Sequence, residues 1–579
     1  MKKRYFTVIA AMTFALTLGL VNARQTKQAE PDPKSGHESA VARNLYIFNA
    51  LVKELENTYV DTIRTDEAFK TAIAAMLNTV DPYTEYFPSE DKDALMRMTT
   101  GAYGGIGAFI MERDGNTFIS EPIDGTPSFK AGLKAGDRIL KVDSVDVVGK
   151  KSDFTTKLLK GEPGTHVFVT VERPYATDSV LTFDIIRERV QEKSVPYFGL
   201  VDDNTGYVKL NSFMEKSPEE VRVALESFKA NPKVENIILD LRGNGGGLVE
   251  SAIDILGNFL PKGTEVLQTR GREAGATKTY KTTRSPIFPD APLVVLIDGG
   301  SASASEITAG ALQDLDRAVL VGNRSFGKGL VQGTYSLPYD GLLKITTAKY
   351  YIPSGRLIQA LDYSHRNPDG SVARTPDSLT NEFHTKNGRI VRDGGGLKPD
   401  STVAQKEYSR LLYNLMLNHH VFDYATKFVA SHPEIPAPGE FRITDEIYAD
   451  FVNSVDTSKV KSDKVGKELV AELRKTAKNE GFMTPELEEA LNSMEPLVEP
   501  DLQRDLYNKR DEISYFLGEE IVTRYYSQAG STEFALNFDD DLDVAKGILK
   551  DRNLYDSLLG KTPKGGKSQN ADKKAKPKK

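Results

Sequence analysis

The chain has 579 residues, an apolar content of 39% and a formal net charge of −7. This length and composition predict several domains with apolar cores, and the acidic balance argues against nucleic acid as a partner. The sequence contains no cysteine, which excludes disulfides, thiol catalysis and cysteine-ligated metals.

The N-terminus is typical of an export signal. A basic segment over residues 2–4 precedes an apolar run over residues 6–20, and small residues follow up to Ala23. The apolar run is short for a membrane span, so we expect cleavage near Ala23 rather than an uncleaved anchor. Residues 1–23 are therefore predicted to be a signal peptide, which implies a periplasmic protein, and residues 24–38 a polar linker.

Helical and then β-rich patterns follow the linker. Apolar residues recur at spacings of three and four from Val41 to Tyr59, which predicts an amphipathic helix, and a second helix is predicted from Asp66 to Val80. Glycine turns and short apolar strands then alternate over residues 98–190, beginning with the turn GGIG at residues 104–107. This pattern predicts a helical region followed by a small β-rich domain.

Strand and helix patterns alternate from residue 206 to residue 260, which is typical of an α/β unit. The turn RGNGGG at residues 242–247 joins a predicted strand to the next helix. It lacks the glycine spacing of a dinucleotide-binding turn, so we expect no nucleotide cofactor there.

The stretch from Ile297 to Gln332 contains the candidate catalytic residues. An apolar strand ends at Ile297, and Ser301, Ser303 and Ser305 follow at the start of a helical pattern. Free amide donors at a helix N-terminus favour a developing anion, so a serine there can act as a nucleophile. The serines are also typical helix caps, which is the role we expect for Ser305.

A serine nucleophile needs a base. The chain has seven histidines, and none lies between His166 and His365. Lys328, on a glycine-flanked turn, can serve because burial favours a neutral amine. Gln332 can orient that amine, since a spacing of four places two residues on one face of a strand or a helix.

A phosphate-binding loop is the alternative interpretation of the second turn. Gly322 to Lys328 matches the first part of that motif, but Gly329 stands where serine or threonine would bind magnesium. We therefore discount a nucleotide phosphate as the ligand of this turn.

The last part of the chain is predicted to be mostly helical over residues 403–560, after a polar insertion at about residues 361–393. One helix is expected to start at Thr484 and Pro485, which have cap and first-position chemistry. The lysine-rich residues 561–579 are predicted to be a disordered basic tail.

An acidic stretch in this part has some of the spacing of a calcium loop. Asp539, Asp541 and Asp543 match its first ligands, but Val544 and Lys550 replace the glycine and glutamate that the loop needs. We predict an acidic turn instead, and no metal site or cofactor in the protein.

The motifs, in their order along the chain, resemble the C-terminal processing (tail-specific) peptidases. The matching stretches all lie within residues 40–402. Two of them are composite, SASASEI followed by AGAL, and VG followed by SFGKG and VQ; the other two are LDLRGNGGG and GGGLKPD. The stretch NTVDPYTEYF resembles the helical segment that precedes the PDZ domain in this family.

The resemblance implies a multidomain α/β protein. We expect a crotonase-like α/β peptidase core over residues 191–402 and an inserted β-rich PDZ domain over residues 98–190. Helical regions are expected over residues 39–97 and 403–560.

The resemblance also implies a Ser-Lys dyad. Ser303 is the expected nucleophile, Lys328 the general base and Gln332 the residue that orients the base. The amides of Gly246 and Ala304 are expected to form the oxyanion hole.

Two features of the binding sites follow from the same resemblance. Gly245 stands where family members carry proline, which leaves open which glycine of residues 245–247 supplies the oxyanion amide. Gly105, Ile106 and Gly107 are expected to bind the terminal carboxylate of a substrate in the PDZ domain.

The expected function is that of an exported serine endopeptidase that cleaves unfolded or tail-exposed proteins near their C-termini. An adaptor protein and a homo-oligomer are compatible with the resemblance. The alternative is a noncatalytic PDZ-bearing scaffold or chaperone of the cell envelope. The intact set of Ser303, Lys328 and Gln332 argues against this alternative.

Overall fold

The computed structural model describes residues 33–561, except residues 274, 368 and 461–463. The predicted signal peptide, most of the predicted linker and nearly all of the predicted basic tail lie outside the described residues. No helix within the described ranges is long and apolar enough to cross a membrane.

Residues 33–76 form a unit of their own. It contains α1 (Pro33–Thr58) and most of α2 (Thr65–Asn78), so the first helix begins before the predicted Val41. The rings of Phe48 and Phe69 meet edge to face, with their centroids 5.9 Å apart. Most of the large apolar side chains of both helices are exposed.

The family resemblance implied that the stretch NTVDPYTEYF is helical. The structure differs, because the stretch is not helical throughout. Helix α2 ends at Asn78, and the buried carboxylate of Asp81 accepts the N–H groups of Tyr83 and Thr84, each at 2.8 Å. Such a local side-chain acceptor competes with helix formation. The chain therefore turns and continues as the strand β1 (Glu85–Phe87), before α3 (Lys92–Thr100).

A β-rich domain follows and confirms the predicted small β domain. Its antiparallel sheet has the order β3-β4-β5-β7-β8, with β6 beside β5, while β2 pairs with β9. Buried residues alternate along its strands, as in Val167, Val169 and Val171, because successive side chains point to opposite faces. The elements are β2 (Ala102–Gly105), β3 (Ala108–Arg113), β4 (Asn116–Pro122), α4 (Pro127–Ala131), β5 (Arg138–Val142), β6 (Val145–Asp146), α5 (Ser152–Leu159), β7 (His166–Glu172), β8 (Val180–Ile186) and β9 (Glu188–Gln191).

The central sheet carries the candidate active site. Its order is β10-β11-β12-β15-β16-β23, and all pairs are parallel except β10 with β11. Its elements are β10 (Tyr197–Asp202), β11 (Thr205–Lys209), α6 (Ser217–Ala230), β12 (Asn236–Asp240), α7 (Val249–Leu256), β15 (Leu293–Ile297), α8 (Ala304–Asp314), β16 (Val319–Gly322) and β23 (Ser401–Thr402).

Helices cover this sheet on both faces, which explains its continuous apolar strands. Leu293, Val295 and Ile297 pack on the face of α6, α7 and α8. Val294 and Leu296 pack on the other face, against α16 (Asp540–Lys550) and α17 (Arg552–Leu558). The last helices of the chain therefore complete the core of the central sheet, although the predicted domain boundary at residue 402 stays a prediction.

A second sheet lies beside the candidate active site and is wholly antiparallel. Its order is β1-β18-β13-β14, and β17 also pairs with β18. Its further strands are β13 (Glu265–Gly271), β14 (Thr277–Lys281), β17 (Leu330–Ser336) and β18 (Leu342–Tyr351). Two small hairpins occupy the predicted insertion, formed by β19 (Leu361–Arg366) with β20 (Val372–Arg374) and β21 (Glu382–His384) with β22 (Ile390–Arg392).

Most of the remaining helices contribute to a further apolar core, which contains Leu415, Phe451 and Ile521. Thr484 caps its helix as predicted, because its hydroxyl accepts the N–H of Leu487. The helices are α9 (Arg410–Leu417), α10 (His420–Ser431), α11 (Asp445–Ser454), α12 (Val465–Asn479), α13 (Pro485–Met494), α14 (Leu502–Asn508) and α15 (Arg510–Ala535). The predicted combination of an α/β core, a β-rich domain and helical regions is confirmed.

Candidate active site

Ser303 lies at a strained turn between β15 and α8. It is the residue that immediately precedes α8, with φ of 53° and ψ of −113°. A positive φ is uncommon for a residue other than glycine and is found at functional sites, where the surrounding structure holds it. The turn places Ser303 at the helix N-terminus, where amide groups have no acceptor within the helix.

The structure separates the roles of the three candidate serines. Ser301 and Ser305 are fully buried, at 0% exposure, and Ser303 is partly exposed. The Ser301 hydroxyl donates to the carbonyl of Leu241, and the Ser305 hydroxyl donates to the carbonyl of Asn244, each at 2.8 Å. The prediction that Ser305 caps the helix is wrong, because Ser303 occupies the cap position and Ser305 binds the glycine turn instead.

A buried carboxylate joins this turn to the loop that carries Lys328. Glu306 accepts the N–H of Ser303 at 2.9 Å, of Gly327 at 2.7 Å and of Lys328 at 2.9 Å. It also accepts the hydroxyl of Ser325 at 2.5 Å. Burial raises the pKa of Glu306 to about 7, against the opposing effect of these four donors.

Lys328 lies in the loop between β16 and β17. Its backbone carbonyl accepts the hydroxyl of the buried Tyr350 at 2.6 Å, and the Ser303 carbonyl lies 3.2 Å from the same hydroxyl. Burial, and after it the nearby Lys344, lowers the pKa of the Lys328 amine to about 8. A neutral amine that can take a proton is therefore accessible near neutral pH.

Gln332 lies on β17, and Lys328 lies two residues before this strand begins. The extra residue at the register shift between the two strands is Thr347 on β18, so the shared face of Lys328 and Gln332 stays a prediction. The Gln332 amide nitrogen donates to the hydroxyl of Thr346 at 3.1 Å. Its role toward Lys328 stays a prediction.

The glycine turn lies directly against Ser303. Gly246 has φ of 101°, and a Cβ atom there would lie 2.8 Å from the Ser303 Cβ and 2.9 Å from the Ala304 nitrogen. Only glycine permits this approach. The Gly246 N–H donates to the side-chain oxygen of Asn244 at 2.9 Å, so Gly246 and Ala304 are brought together but the Gly246 amide already has an acceptor.

Arg242, at the start of this turn, is held by the C-terminal helices. Its guanidinium donates to the carboxylate of Asp240, to that of Asp539 at 2.8 and 2.5 Å, and to that of Asp541 at 2.9 Å. Asp539 also caps α16 by accepting the N–H of Leu542 at 3.1 Å. The acidic stretch that has part of a calcium-loop spacing therefore anchors the glycine turn.

The predicted carboxylate loop of the β-rich domain joins β2 to β3. Gly105 ends β2, Ile106 is buried, and Gly107 has φ of 76°. The Gly107 carbonyl accepts the hydroxyls of Thr126 at 2.8 Å and Ser128 at 2.5 Å. The loop is thereby fixed beside β3, which lies at the end of its sheet.

The sequence alone assigned no role to Glu306, although this residue lies within the stretch SASASEI. The spacing of Ser303 and Glu306 is that of a capping box, which signals a contact between the two residues. The link from Arg242 to Asp539 and Asp541 had no such signal, because almost three hundred residues separate them in the chain. No group of three metal-binding side chains that could hold an ion occurs in the part of the chain that the structure describes.

Comparisons with known families match three parts of the chain. Peptidase family S41 matches residues 204–365, and a PDZ domain matches residues 104–186. A third family, described as the C-terminal helical domain of a probable PDZ-protease, matches residues 411–549. The family matches thus include the turns that carry Ser303 and Lys328.

Whole proteins are similar over the same region. The carboxy-terminal-processing protease of Bartonella bacilliformis is 35% identical over 330 residues, which are 56% of this chain and 75% of that protein. The carboxy-terminal processing protease CtpA of Bacillus subtilis is 32% identical over 317 residues, 54% of this chain and 66% of that protein. A solved structure of a photosystem II D1 C-terminal processing protease is 27% identical to this chain, with a TM-score of 0.33. The similarity covers 61% of this chain and 86% of that protein.

The raised pKa of Glu306 predicts a pH-dependent stability. A carboxyl group whose pKa rises on folding contributes stability below about pH 4.5, and this is lost as pH increases through about 7. Glu306→Gln removes the effect. The unfolding free energies of the wild type and of this variant are measured by urea denaturation. The wild-type value minus the variant value should therefore decrease by roughly 2–4 kcal/mol between pH 5 and pH 8.

Glu226→Gln is the matched control, because this exposed glutamate lies on α6 and pairs only with Arg222 in the structure. Its difference from the wild type should stay nearly constant over the same pH range. A parallel loss of stability in the wild type and in Glu306→Gln would show that the Glu306 pKa is not raised.

Proposed function

Because this chain belongs to the carboxy-terminal-processing protease family and is a serine protease with a PDZ domain, we propose that it is an exported endopeptidase that uses a Ser-Lys dyad. Ser303 is the nucleophile and Lys328 the general base. The observation that carries the proposal is the arrangement around Glu306. This carboxylate binds the backbone of Ser303, which is the partly exposed one of the three candidate serines, and the backbone of Lys328, whose pKa is lowered by burial.

The chemistry then follows from these positions. The Ser303 hydroxyl attacks the peptide carbonyl while the neutral Lys328 amine takes its proton, which forms the tetrahedral adduct. The Lys328 ammonium next returns the proton to the leaving amine, and the C–N bond breaks to give the acyl-enzyme. Water attacks the acyl-enzyme with Lys328 again as base, which releases the new C-terminus and frees Ser303.

The oxyanion of the adduct needs preorganised donors. The amide of Ala304, the first residue of α8, has no acceptor within the helix and supports this role. The Gly246 amide would have to leave the side chain of Asn244 in order to bind the oxyanion. We assign Gln332 the role of orienting Lys328, and its side chain is held by its hydrogen bond to Thr346 on the paired strand β18.

Substrate choice is assigned to the PDZ domain. Strand β3 has an unpaired edge in the sheet order, and a peptide can add to such an edge as a further strand. Backbone amides of Gly105, Ile106 and Gly107 would then bind its free terminal carboxylate, and apolar pockets would select apolar tails. Unfolded or tail-exposed proteins are the proposed substrates.

The proposed location is the periplasm, on the basis of the predicted signal peptide with cleavage near Ala23. An adaptor protein and a homo-oligomer remain proposals that rest on the family resemblance alone.

The first prediction separates the serines. Ser303→Ala should lower cleavage of an unfolded protein by about three orders of magnitude or more, because the nucleophile is lost. Ser301→Ala and Ser305→Ala should retain measurable cleavage. Ser305→Ala should lose about 1 kcal/mol of stability because it removes one buried hydrogen bond, and Ser301→Ala should lose more because its hydroxyl also accepts the N–H of Asp298 at 3.0 Å. Fragments are quantified by mass spectrometry. Full activity of Ser303→Ala would reject Ser303 as the nucleophile, whereas absence of cleavage by the wild type would favour the noncatalytic scaffold.

The second prediction concerns the base. Cleavage should rise as pH increases through about 8, where the Lys328 amine loses its proton. Lys328→Arg should be inactive at every pH, because the guanidinium does not release its proton. Lys349→Arg, an exposed site on β18, is the control and should stay within about twofold of the wild type. An active Lys328→Arg enzyme would exclude Lys328 as the base.

The third prediction concerns tail recognition. A peptide with a free apolar C-terminus should be cleaved about tenfold faster than its amidated form, because charge-assisted hydrogen bonds to the carboxylate are lost. Gly107→Ala should reduce this preference, since its Cβ would lie 2.4 Å from that of Thr126.

Gly115→Ala is the matched control for backbone strain. Gly115 also has a positive φ, of 69°, but its Cβ would meet no atom within 4 Å. It should retain the preference for free tails. Equal cleavage of free and amidated peptides by the wild type would reject the recognition role of the PDZ domain.

A further inference from the structure

An aromatic ring lies over the amine of Lys328. The Lys328 Nζ is 4.2 Å from the centroid of the Tyr83 ring. Tyr83 lies before all three segments that match known families, the first of which begins at residue 104. The segments that match known families therefore do not include Tyr83, so they do not account for its contact with the Lys328 amine.

Three separate parts of the fold hold Tyr83 in this place. The Asp81 carboxylate fixes its backbone by accepting its N–H at 2.8 Å. On its C-terminal side, β1 pairs with β18, and the Thr84 hydroxyl accepts the N–H of Thr346 at 3.3 Å. From the insertion, the Tyr363 hydroxyl lies 3.2 Å from the Tyr83 hydroxyl, and the two rings meet edge to face.

A ring in this position has two opposing effects on an amine. It removes water from the amine, which favours the neutral form, and its π-electron face attracts an ammonium, which favours the charged form. Burial is the largest cause of the lowered pKa of Lys328, and the ring contributes to that burial by covering the amine at 4.2 Å.

The other groups that face the amine come from several elements. Lys344 on β18 disfavours the ammonium, and Asp81, Glu85 and Glu306 favour it. Lys344 is itself paired with Glu85, so these two charges offset each other in part. The balance between the neutral and the charged form of the Lys328 amine therefore depends on the ring that covers it.

We propose that Tyr83 is a positioning residue of the active site, whose ring excludes water from the Lys328 amine and so keeps the neutral amine available for proton transfer. This inference rests on the proposed role of Lys328 as the general base. It assigns a function in catalysis to the segment that precedes the PDZ domain.

Three substitutions in the full chain separate the effects of the ring. Tyr83→Ala opens the amine to water, Tyr83→Phe keeps the ring without its hydroxyl, and Tyr83→Leu keeps bulk without the π-electron face. The pH dependence of kcat/KM is measured on a peptide with a free apolar C-terminus. In parallel, the reaction of the Lys328 amine with acetic anhydride is followed by mass spectrometry as a function of pH, which reports its protonation without relying on activity.

The midpoint of both profiles should rise by about one pH unit in Tyr83→Ala, so that cleavage falls about tenfold at pH 7 and less than about twofold at pH 10. The midpoint should stay at the wild-type value in Tyr83→Phe, and should stay there or fall in Tyr83→Leu. Tyr86→Ala is the matched control: Tyr86 lies three residues further along the chain, on β1, its ring packs near Gly341, and the midpoint of this variant should not move.

An unshifted labelling midpoint in Tyr83→Ala would overturn the inference, as would a shift in Tyr83→Phe as large as that in Tyr83→Ala. A variant that only loosens the fold would lower the thermal unfolding midpoint and the rate at all pH values without moving either profile, and this too would overturn it. A labelling shift without any shift of the kcat/KM profile would instead reject Lys328 as the base, and Lys328→Arg identifies that case independently.

Discussion

The geometry of the candidate active site depends on the buried carboxylate of Glu306. Its oxygens accept from the backbone of Ser303 on one side and from the loop of Gly327 and Lys328 on the other. A buried carboxylate that lost these donors would be strongly destabilised, so the two loops are held in one arrangement. The strained conformation of Ser303 can persist because the surrounding hydrogen bonds fix it.

The glycine turn is the second part of this arrangement, and it is held independently. Ser301 and Ser305 bind carbonyls of Leu241 and Asn244, so the two serines on either side of Ser303 attach its turn to the glycine-rich segment that follows β12. At the start of the same turn, Arg242 binds the carboxylates of Asp539 and Asp541, at the beginning of α16. Helix α16 therefore contributes both to the core of the central sheet and to the support of the glycine turn.

Lys328, the proposed base, is placed by elements that come from widely separated parts of the sequence. Tyr350 from β18 binds the backbone carbonyl of Lys328, and Tyr83 from the segment before the PDZ domain covers its amine. Burial lowers the pKa of the amine. A lysine on an exposed turn with the same local sequence would be an ordinary cation.

The sequence by itself determined the α/β core, the β-rich domain, the helical regions and the candidate residues Ser303 and Lys328. It could do so because strand and helix periodicity, glycine turns and ordered motifs are local properties. It did not determine which serine caps the helix, since the chain alone cannot show that Ser301 and Ser305 are buried while Ser303 is partly exposed. Nor could it place the strand β1, the register shift between β17 and β18, Tyr83 over Lys328, or Asp539 against Arg242. Those features were decided by the tertiary structure, because burial, strand register and contacts between distant segments exist only once the chain has folded.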